Sequence, residues 1–398
     1  MKIKTILVAI TALSGICITS CQEDNLDVLN PNDQKIFLNW SHVFESYWDG
    51  MNYSYAFWDI DPTDWDDVYR EYAPQFKDLE FGVREDSIAA ANLFEKICSN
   101  LIDHHYSLTL KDEKGEVWKK ISPGKMDVES RDYYHDKYSL EDINNVIDHN
   151  KDLGRITNQA GVVFENGFAA WSYLLDGDIA CLGLNIFYIT ENANDELVAE
   201  TMENFHSLIN ETENLKGIII DTRNNPGGNT YDLFLILRPL LSESIHFGYT
   251  RTKNGLGRLD YTPWSPLILE PLKPDENPVE RDLKDVPVVA LADINSVSMA
   301  EITPMAIMAM PNGFVIGERT FGGHGPLNGN ISDFYAGELE NKAFRMYTST
   351  SMTKRADGIC YEGLGVVPDI EVLFNAEEFS KGNDTQLNRA AEFIHTGK

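Results

Sequence analysis

Val286–Met310 reads VPVVALADINSVSMAEITPMAIMAM, and the fold is decided in it. Val286–Ala292 is an apolar run rich in β-branched residues and bounded by turn signals, which predicts a buried strand. It empties through Asp293-Ile294-Asn295 into Ser296-Val297-Ser298-Met299-Ala300-Glu301, and then into an apolar helical pattern. A serine at a strand-to-helix junction exposes its hydroxyl in front of a helix N-terminus, a setting that suits a nucleophile. The same residues fit a capping box, Ser298-x-x-Glu301, in which both side chains satisfy orphan amides. Taken alone, the stretch favours the cap.

Outward from it, strand and helix patterns alternate. Gly217–Asp221 (GIIID) predicts a second buried strand, and Trp171–Leu175 with Ile179–Ile189 predicts a pair. Leu197–Ile209 and Tyr231–Leu241 read as helices, Phe314–Gly317 and Phe344–Tyr347 as strands, and Gln386–Ile394 as a final helix. Residues 262–287 are dotted with proline and read as an extended loop. This alternation predicts an α/β core, a mainly parallel or mixed sheet covered by helices. Near the start, Ile36–Trp48, Asp64–Tyr72 and the stretch from Asp86 to Leu101 carry apolar stripes at helical spacing, a small three-helix domain. Tyr106–Leu110 reads as a strand, and Lys111–Asn166 shows no clear period. The expected organisation is therefore a helical N-terminal domain at 35–105, a strand and loop spacer at 106–166, and a core at 167–398.

The first residues carry a targeting signal. Lys2 and Lys4 precede an uncharged apolar run too short to span a bilayer, and Ile18-Thr19-Ser20 leads into Cys21. This looks like a bacterial lipoprotein leader over 1–20 with Cys21 as the lipidated residue, followed by a polar tether over 21–34. The expectation is a cell-envelope protein anchored to a membrane by its lipid. The net charge of −30 argues against nucleic-acid partners, because phosphates would be repelled. Of five cysteines, Cys98, Cys181 and Cys360 remain beyond the leader and show neither zinc spacing nor a disulfide framework.

Several constellations could carry chemistry. Asp221-Thr222-Arg223-Asn224-Asn225-Pro226-Gly227-Gly228 directly follows a buried strand, and its proline and glycines force a tight turn with uncovered amides. Such amides suit a developing oxyanion, although a plain strand-to-helix turn is the commoner outcome. His104-His105 ends a helix, where the dipole favours a cation; no metal motif accompanies the pair. Gly317-Glu318-Arg319-Thr320-Phe321-Gly322-Gly323-His324-Gly325 is a strand running into a glycine loop. Glu362, in Tyr361-Glu362-Gly363-Leu364-Gly365, could orient a basic partner or be a turn residue.

The order D-T-R-N-N-P-G-G, S-V-S-M-A-E, G-E-R-T-F-G-G, E-G-x-G-V-x-P-D resembles the serine peptidase family that includes tail-specific (C-terminal processing) peptidases and the tricorn core protease. The resemblance covers roughly Gly167–Ile394, with a further match at Leu101–Ser107. It implies an α/β peptidase fold, with Ser298 as nucleophile and an oxyanion hole from the Met299 amide and the Gly227-Gly228 turn. In the tail-specific branch the general base is a lysine directly after T-F-G; here Gly323 holds that place. The tricorn-like branch takes a histidine from an upstream L-x-x-x-H segment, which Leu101-Ile102-Asp103-His104-His105 matches, making His105 the expected base and Glu362 its orienter. Imidazole near neutral pKa can take the serine proton and return it to a leaving amine. His324 is the rival base. The implied substrates are oligopeptides or unfolded polypeptides, with no metal and no organic cofactor. Lys111–Asn166 is too short and irregular to read as a full PDZ module, and a peptidase fold kept only for peptide binding is the alternative function.

Overall fold

The computed structural model describes residues 37–163, 167–327 and 335–398. The leader, Cys21 and the tether lie outside them. Among the described residues no helix is long and apolar enough to cross a membrane.

Val288–Ala292 (β9) is a strand with every residue buried, as its apolar run requires. It sits inside a seven-stranded sheet. The order is Ile370–Glu371 (β14), Gly313–Gly317 (β10), β9, Gly217–Asp221 (β6), Ile179–Leu184 (β5), Ala169–Leu175 (β4) and Ile156–Val163 (β3). From β14 to β5 the pairs are parallel, and β5 to β3 are antiparallel. Parallel strands covered on both faces read as continuous apolar runs, which is why β6 and β9 stand out in sequence. Side chains alternate between two cores. Ile218, Ile220, Val288 and Ala290 face Glu196–Glu211 (α6), Thr230–Leu237 (α7) and Met299–Ile307 (α8). Ile219, Val289, Leu291 and Ile316 face Leu140–Asp152 (α5) and Thr385–Thr396 (α10). Each fully buried Val, Ile or Leu contributes about 1.5–3 kcal/mol. Parallel order also gathers the C-terminal ends of β6, β9 and β10 on one edge, where such sheets open a crevice.

The three expected helices are Trp40–Ser54 (α1), Trp65–Tyr72 (α2) and Arg84–Cys98 (α3). The Asn39 side chain caps α1 by accepting from the His42 amide, and Asp64 caps α2 by accepting from Asp66 and Asp67. Their aromatics are core: Phe44 stacks on Phe76 with ring centroids 4.7 Å apart, and Trp40, Tyr47 and Phe94 are buried around them. This core is not closed by the helices alone. Glu338–Glu340 (β11), Phe344–Tyr347 (β12), Ser107–Lys111 (β1) and Val117–Ile121 (β2) form a second sheet in that order. Leu108 pairs with Met346 and Leu110 with Phe344, and all four side chains join the helical core. The expected boundaries at 105/106 and 166/167 therefore cut through shared structure, since β1 pairs with β12 and β3 belongs to the large sheet.

Other departures are local. The stretch without a readable period holds β2, Pro123–Glu129 (α4), α5 and β3. The proline-dotted loop contains Ser265–Leu269 (β8), which joins Ile245–Thr252 (β7) and Ser351–Arg355 (β13) in a third sheet. Leu197, in the first turn of α6, is 44 % exposed. A short helix, Ala376–Ser380 (α9), precedes α10.

Candidate active site

Ser298 stands between β9 and α8 with φ 60° and ψ −118°, a conformation that non-glycine residues rarely adopt. Holding it there costs on the order of 1–3 kcal/mol, so the surroundings must impose it. They do so through the backbone: the Ser298 amide donates to the Gly323 carbonyl at 3.0 Å and to Glu301 Oε2 at 3.2 Å. Ser298 and Glu301 form a capping box: the Glu301 carboxylate accepts the Ser298 amide, and the Glu301 amide, which donates to the Ser298 carbonyl at 2.8 Å, also faces the serine side chain. A hydroxyl that only accepts there keeps its proton to give away.

The glycine turn is stitched against this junction. The Val297 amide donates to the Asn225 carbonyl at 2.9 Å, and Asp293 accepts the Asn224 amide at 2.9 Å. Ser296 Oγ donates to the Thr222 carbonyl at 2.8 Å. Gly227, at φ 96°, lies so close that a Cβ there would meet Ser298 Cβ at 2.6 Å and the Met299 amide nitrogen at 2.9 Å. Its own amide is already used, donating to Asn225 Oδ1 at 2.8 Å. Among the described residues the amides of Gly228 and Met299 have no hydrogen-bond partner. The oxyanion donors available are therefore Gly228 and Met299; Gly227 shapes the turn without donating.

Residues 320–325 form the opposite wall. Glu301, fully buried in the first turn of α8, accepts from Thr320 Oγ1, from the Gly322 amide at 2.8 Å and from the Gly323 amide at 2.7 Å. His104 Nδ1 bonds the Phe321 carbonyl at 2.9 Å, and Arg131 donates to the Thr320 and Phe321 carbonyls at 2.8 and 2.9 Å. His105 lies next to this wall. A Cβ on Gly323 would stand 3.1–3.2 Å from its Cε1, Nδ1 and Nε2 atoms. Gly323 thus separates Ser298 from His105, its carbonyl on one and its Cα against the other. Among the described residues no hydrogen bond joins His105 to Ser298, and such contacts commonly tighten only when substrate binds.

Electrostatics favour a neutral ring. Burial lowers the His105 pKa to about 4, with His324 and His104 acting in the same direction and Glu301 opposing them. His105 Nδ1 is shielded from solvent and has no partner among the described residues. His324 is buried, its two ring nitrogens are likewise unpartnered, and burial lowers its pKa too. Its Nε2 lies 3.9 Å from Glu301 Oε1.

Glu362 is buried beside the histidines, accepting amide hydrogens from His104 at 3.0 Å and from His324 and Gly325 at 2.8 Å each. Asp103, which no sequence signal marked, joins it. One acceptor atom from each of Asp103, His105 and Glu362 lies within 4.8 Å of the others. This is the group among the described residues best arranged to hold a cation. Both carboxylates already accept backbone amides, so the set fits a hydrogen-bonded array.

Two buried acids elsewhere at this edge also escaped the sequence. Asp293 ends β9 and accepts from Asn224, Asn295 and Ser296; burial raises its pKa to about 6. Its signal was the D-x-x-S turn immediately after the strand. Glu318 ends β10, pairs with His135 at 3.0 Å and accepts the Phe374 amide at 2.6 Å. A pocket of about 300 Å³, lined in part by Lys137, Phe168, Ile186, Tyr188 and Pro226, opens beside the glycine turn. A larger pocket of about 460 Å³ between α1 and α2 shares no residue with the site.

Comparison with known proteins falls on this same region. Residues 183–372 match the model of peptidase family S41. A carboxy-terminal-processing protease of Bartonella bacilliformis is 28% identical over 228 residues, 56% of this chain and 45% of that protein. The chain thus spans about half the length of the curated relative it matches. A crystal structure of a candidate peptidase from Parabacteroides merdae is 22% identical, covers 89% of this chain and 96% of its own, and has a TM-score of 0.63, which shows a shared fold. The tricorn protease is a more distant structural match, 16% identical over 57% of this chain and 22% of that one, with a TM-score of 0.35.

Proposed function

With residues 183–372 matching the model of peptidase family S41, we propose that this protein is a serine peptidase that hydrolyses peptide bonds through an acyl-enzyme on Ser298. His105 acts as general base: its Nε2 takes the proton from Ser298 Oγ as the oxygen attacks the scissile carbonyl, then gives it to the leaving amine. Amides of Gly228 and Met299 receive the oxyanion. Water, deprotonated by the same imidazole, releases the acyl group. The substrates are oligopeptides or unfolded polypeptides, taken at a bacterial cell envelope where lipid on Cys21 holds the enzyme to its membrane. The scheme uses no metal or organic cofactor.

The observation that supports this most is the seat at Gly323. The place where related enzymes carry a lysine base is a glycine whose missing side chain leaves room for the His105 ring. Any side chain there, a lysine included, would crowd the imidazole through its Cβ.

Replacing Ser298, His105 and His324 separately by alanine and following peptide cleavage tests the assignment. Ser298→Ala and His105→Ala should each lose activity by 10³-fold or more, while His324→Ala keeps most of it. A folded His105→Ala protein with full activity overturns the choice of base. Absence of fluorophosphonate labelling at Ser298, with peptide binding intact, would instead mark a binding protein.

A further inference from the structure

The carboxylates beside His105 need an account that one orienting residue does not give. Asp103 is fully buried and Glu362 nearly so, and among the described residues neither has an ion-pair partner. What they have is amide hydrogens. Asp103 Oδ1 accepts from the His105 amide at 3.0 Å and Ser349 Oγ at 2.9 Å, and Oδ2 accepts from the Ser349 amide at 2.7 Å. Glu362 accepts three amides in the same way. A carboxylate offers about four acceptor positions; the three amides on Glu362 leave about one, and His105, whose Nδ1 has no hydrogen-bond partner among the described residues, brings a ring nitrogen within 4.8 Å of both carboxylates.

Two like charges this close and this deeply buried do not both ionise; they titrate as a pair. We propose that Asp103 is a positioning residue for the general base, forming with Glu362 a cradle that keeps one proton between two carboxylates and one negative charge for the His105 imidazolium. This rests on His105 being the base. Burial raises both groups, Asp103 to about 6, and the neighbouring Asp103 and Glu301 charges add to burial in raising Glu362 well above the ordinary carboxylate range. Between its two titration steps the pair is singly charged. As Ser298 gives its proton to Nε2, Nδ1–H faces one matching negative charge, and the array of imidazolium and pair becomes neutral overall.

The other titratable neighbours do not replace this charge. His104 and His324 face His105 and are held neutral by burial, and Glu301 is committed to the 320–323 loop. Tyr55 adjoins Asp103 and Cys360 adjoins Glu362, and burial raises both pKa values so that both stay uncharged.

The cradle predicts a particular pH profile. The acid limb of kcat/KM should fall near pH 6, where the pair takes its second proton, rather than near 4, where His105 itself titrates. Asp103→Asn or Glu362→Gln removes the partner that shares the proton, so the surviving carboxylate loses the hydrogen bond that stabilised its charge and the limb moves to higher pH. Each single variant should lose about tenfold in kcat/KM at neutral pH, and the double variant should approach the His105→Ala level, because one carboxylate can serve alone but not none. Should Asp103→Asn fail to fold, Glu362→Gln gives the same limb shift as an independent reading. An Asp103→Asn enzyme with reduced activity but an unmoved limb would make Asp103 merely structural and overturn the proposal. A Glu362→Gln enzyme as inactive as His105→Ala would overturn it equally. Either failure leaves the Ser298 and His105 assignment standing, since that falls only if their alanine variants stay active.

Discussion

Gly323→Ala isolates the contact on which the site depends. The backbone at this glycine is not in the left-handed region, so alanine adds no conformational strain. The amide to Glu301 and the carbonyl to Ser298 are untouched by a methyl group. What changes is one Cβ placed 3.1–3.2 Å from three atoms of the His105 ring. Ordinary carbon contacts lie at about 3.5–4.0 Å, so the ring must retreat by roughly 0.4 Å. A misplacement of about 1 Å costs on the order of 10²-fold in rate, and 0.4 Å scales to about fivefold to tenfold, or ~1 kcal/mol of barrier. The assay is kcat/KM for a fluorogenic peptide, with thermal melting to confirm the fold, in a cycle with His105→Ala. In the His105→Ala background the ring is gone, so Gly323→Ala should have no further effect. Full activity of Gly323→Ala, or an equal loss in both backgrounds, refutes the placement of the base against this residue.

Three further outcomes are expected. Gly227→Ala forces a side chain into a φ of 96° and against Ser298 and the Met299 amide, and should reduce kcat by about 10²-fold or more as the oxyanion donors separate. Arg223 is buried between Asp221 and Asp384, each at 2.7 Å, and Arg223→Met strands two acids, which should cost about 3–5 kcal/mol by denaturant unfolding. Asp293 has a folded pKa of about 6, above its unfolded value. Its contribution to stability is therefore full below pH ~4 and is lost as pH rises through 6, by up to about 3 kcal/mol; melting from pH 4 to 7 should show this decline, and Asp293→Asn should flatten it.

What the sequence discloses follows from which forces are local. β6 and β9 are legible because central parallel strands need apolar residues at every position, and the serine junction is legible because a strand must end before a helix begins. Helix α5 was overlooked although Ser139 and Asp142 cap it reciprocally, because its apolar stripe is sparse. Pairing of β1 with β12 leaves no trace in either segment, since each is a short run that could have met many partners. Placing His105 beside the nucleophile needed the resemblance to a family; local pattern alone gave a capping pair. Asp103 and Glu301 are single acids in acidic surroundings, and only burial separates them from the solvated ones. The strained turn at Ser298 is imposed by Gly323 and Glu301 and has no signature of its own.

The joining of β1 to β12 also orders events in time. His105 lies two residues before β1, and the core beneath that strand is completed by Phe344 and Met346. A chain growing from its N-terminus makes the base early and the serine much later, and the strand that fixes the base later still. A ribosome-bound chain that has already produced Ser298 therefore still lacks the surface against which His105 is held. That sequence of assembly leaves Ser298 and His105 apart until the strand carrying Phe344 and Met346 has been made.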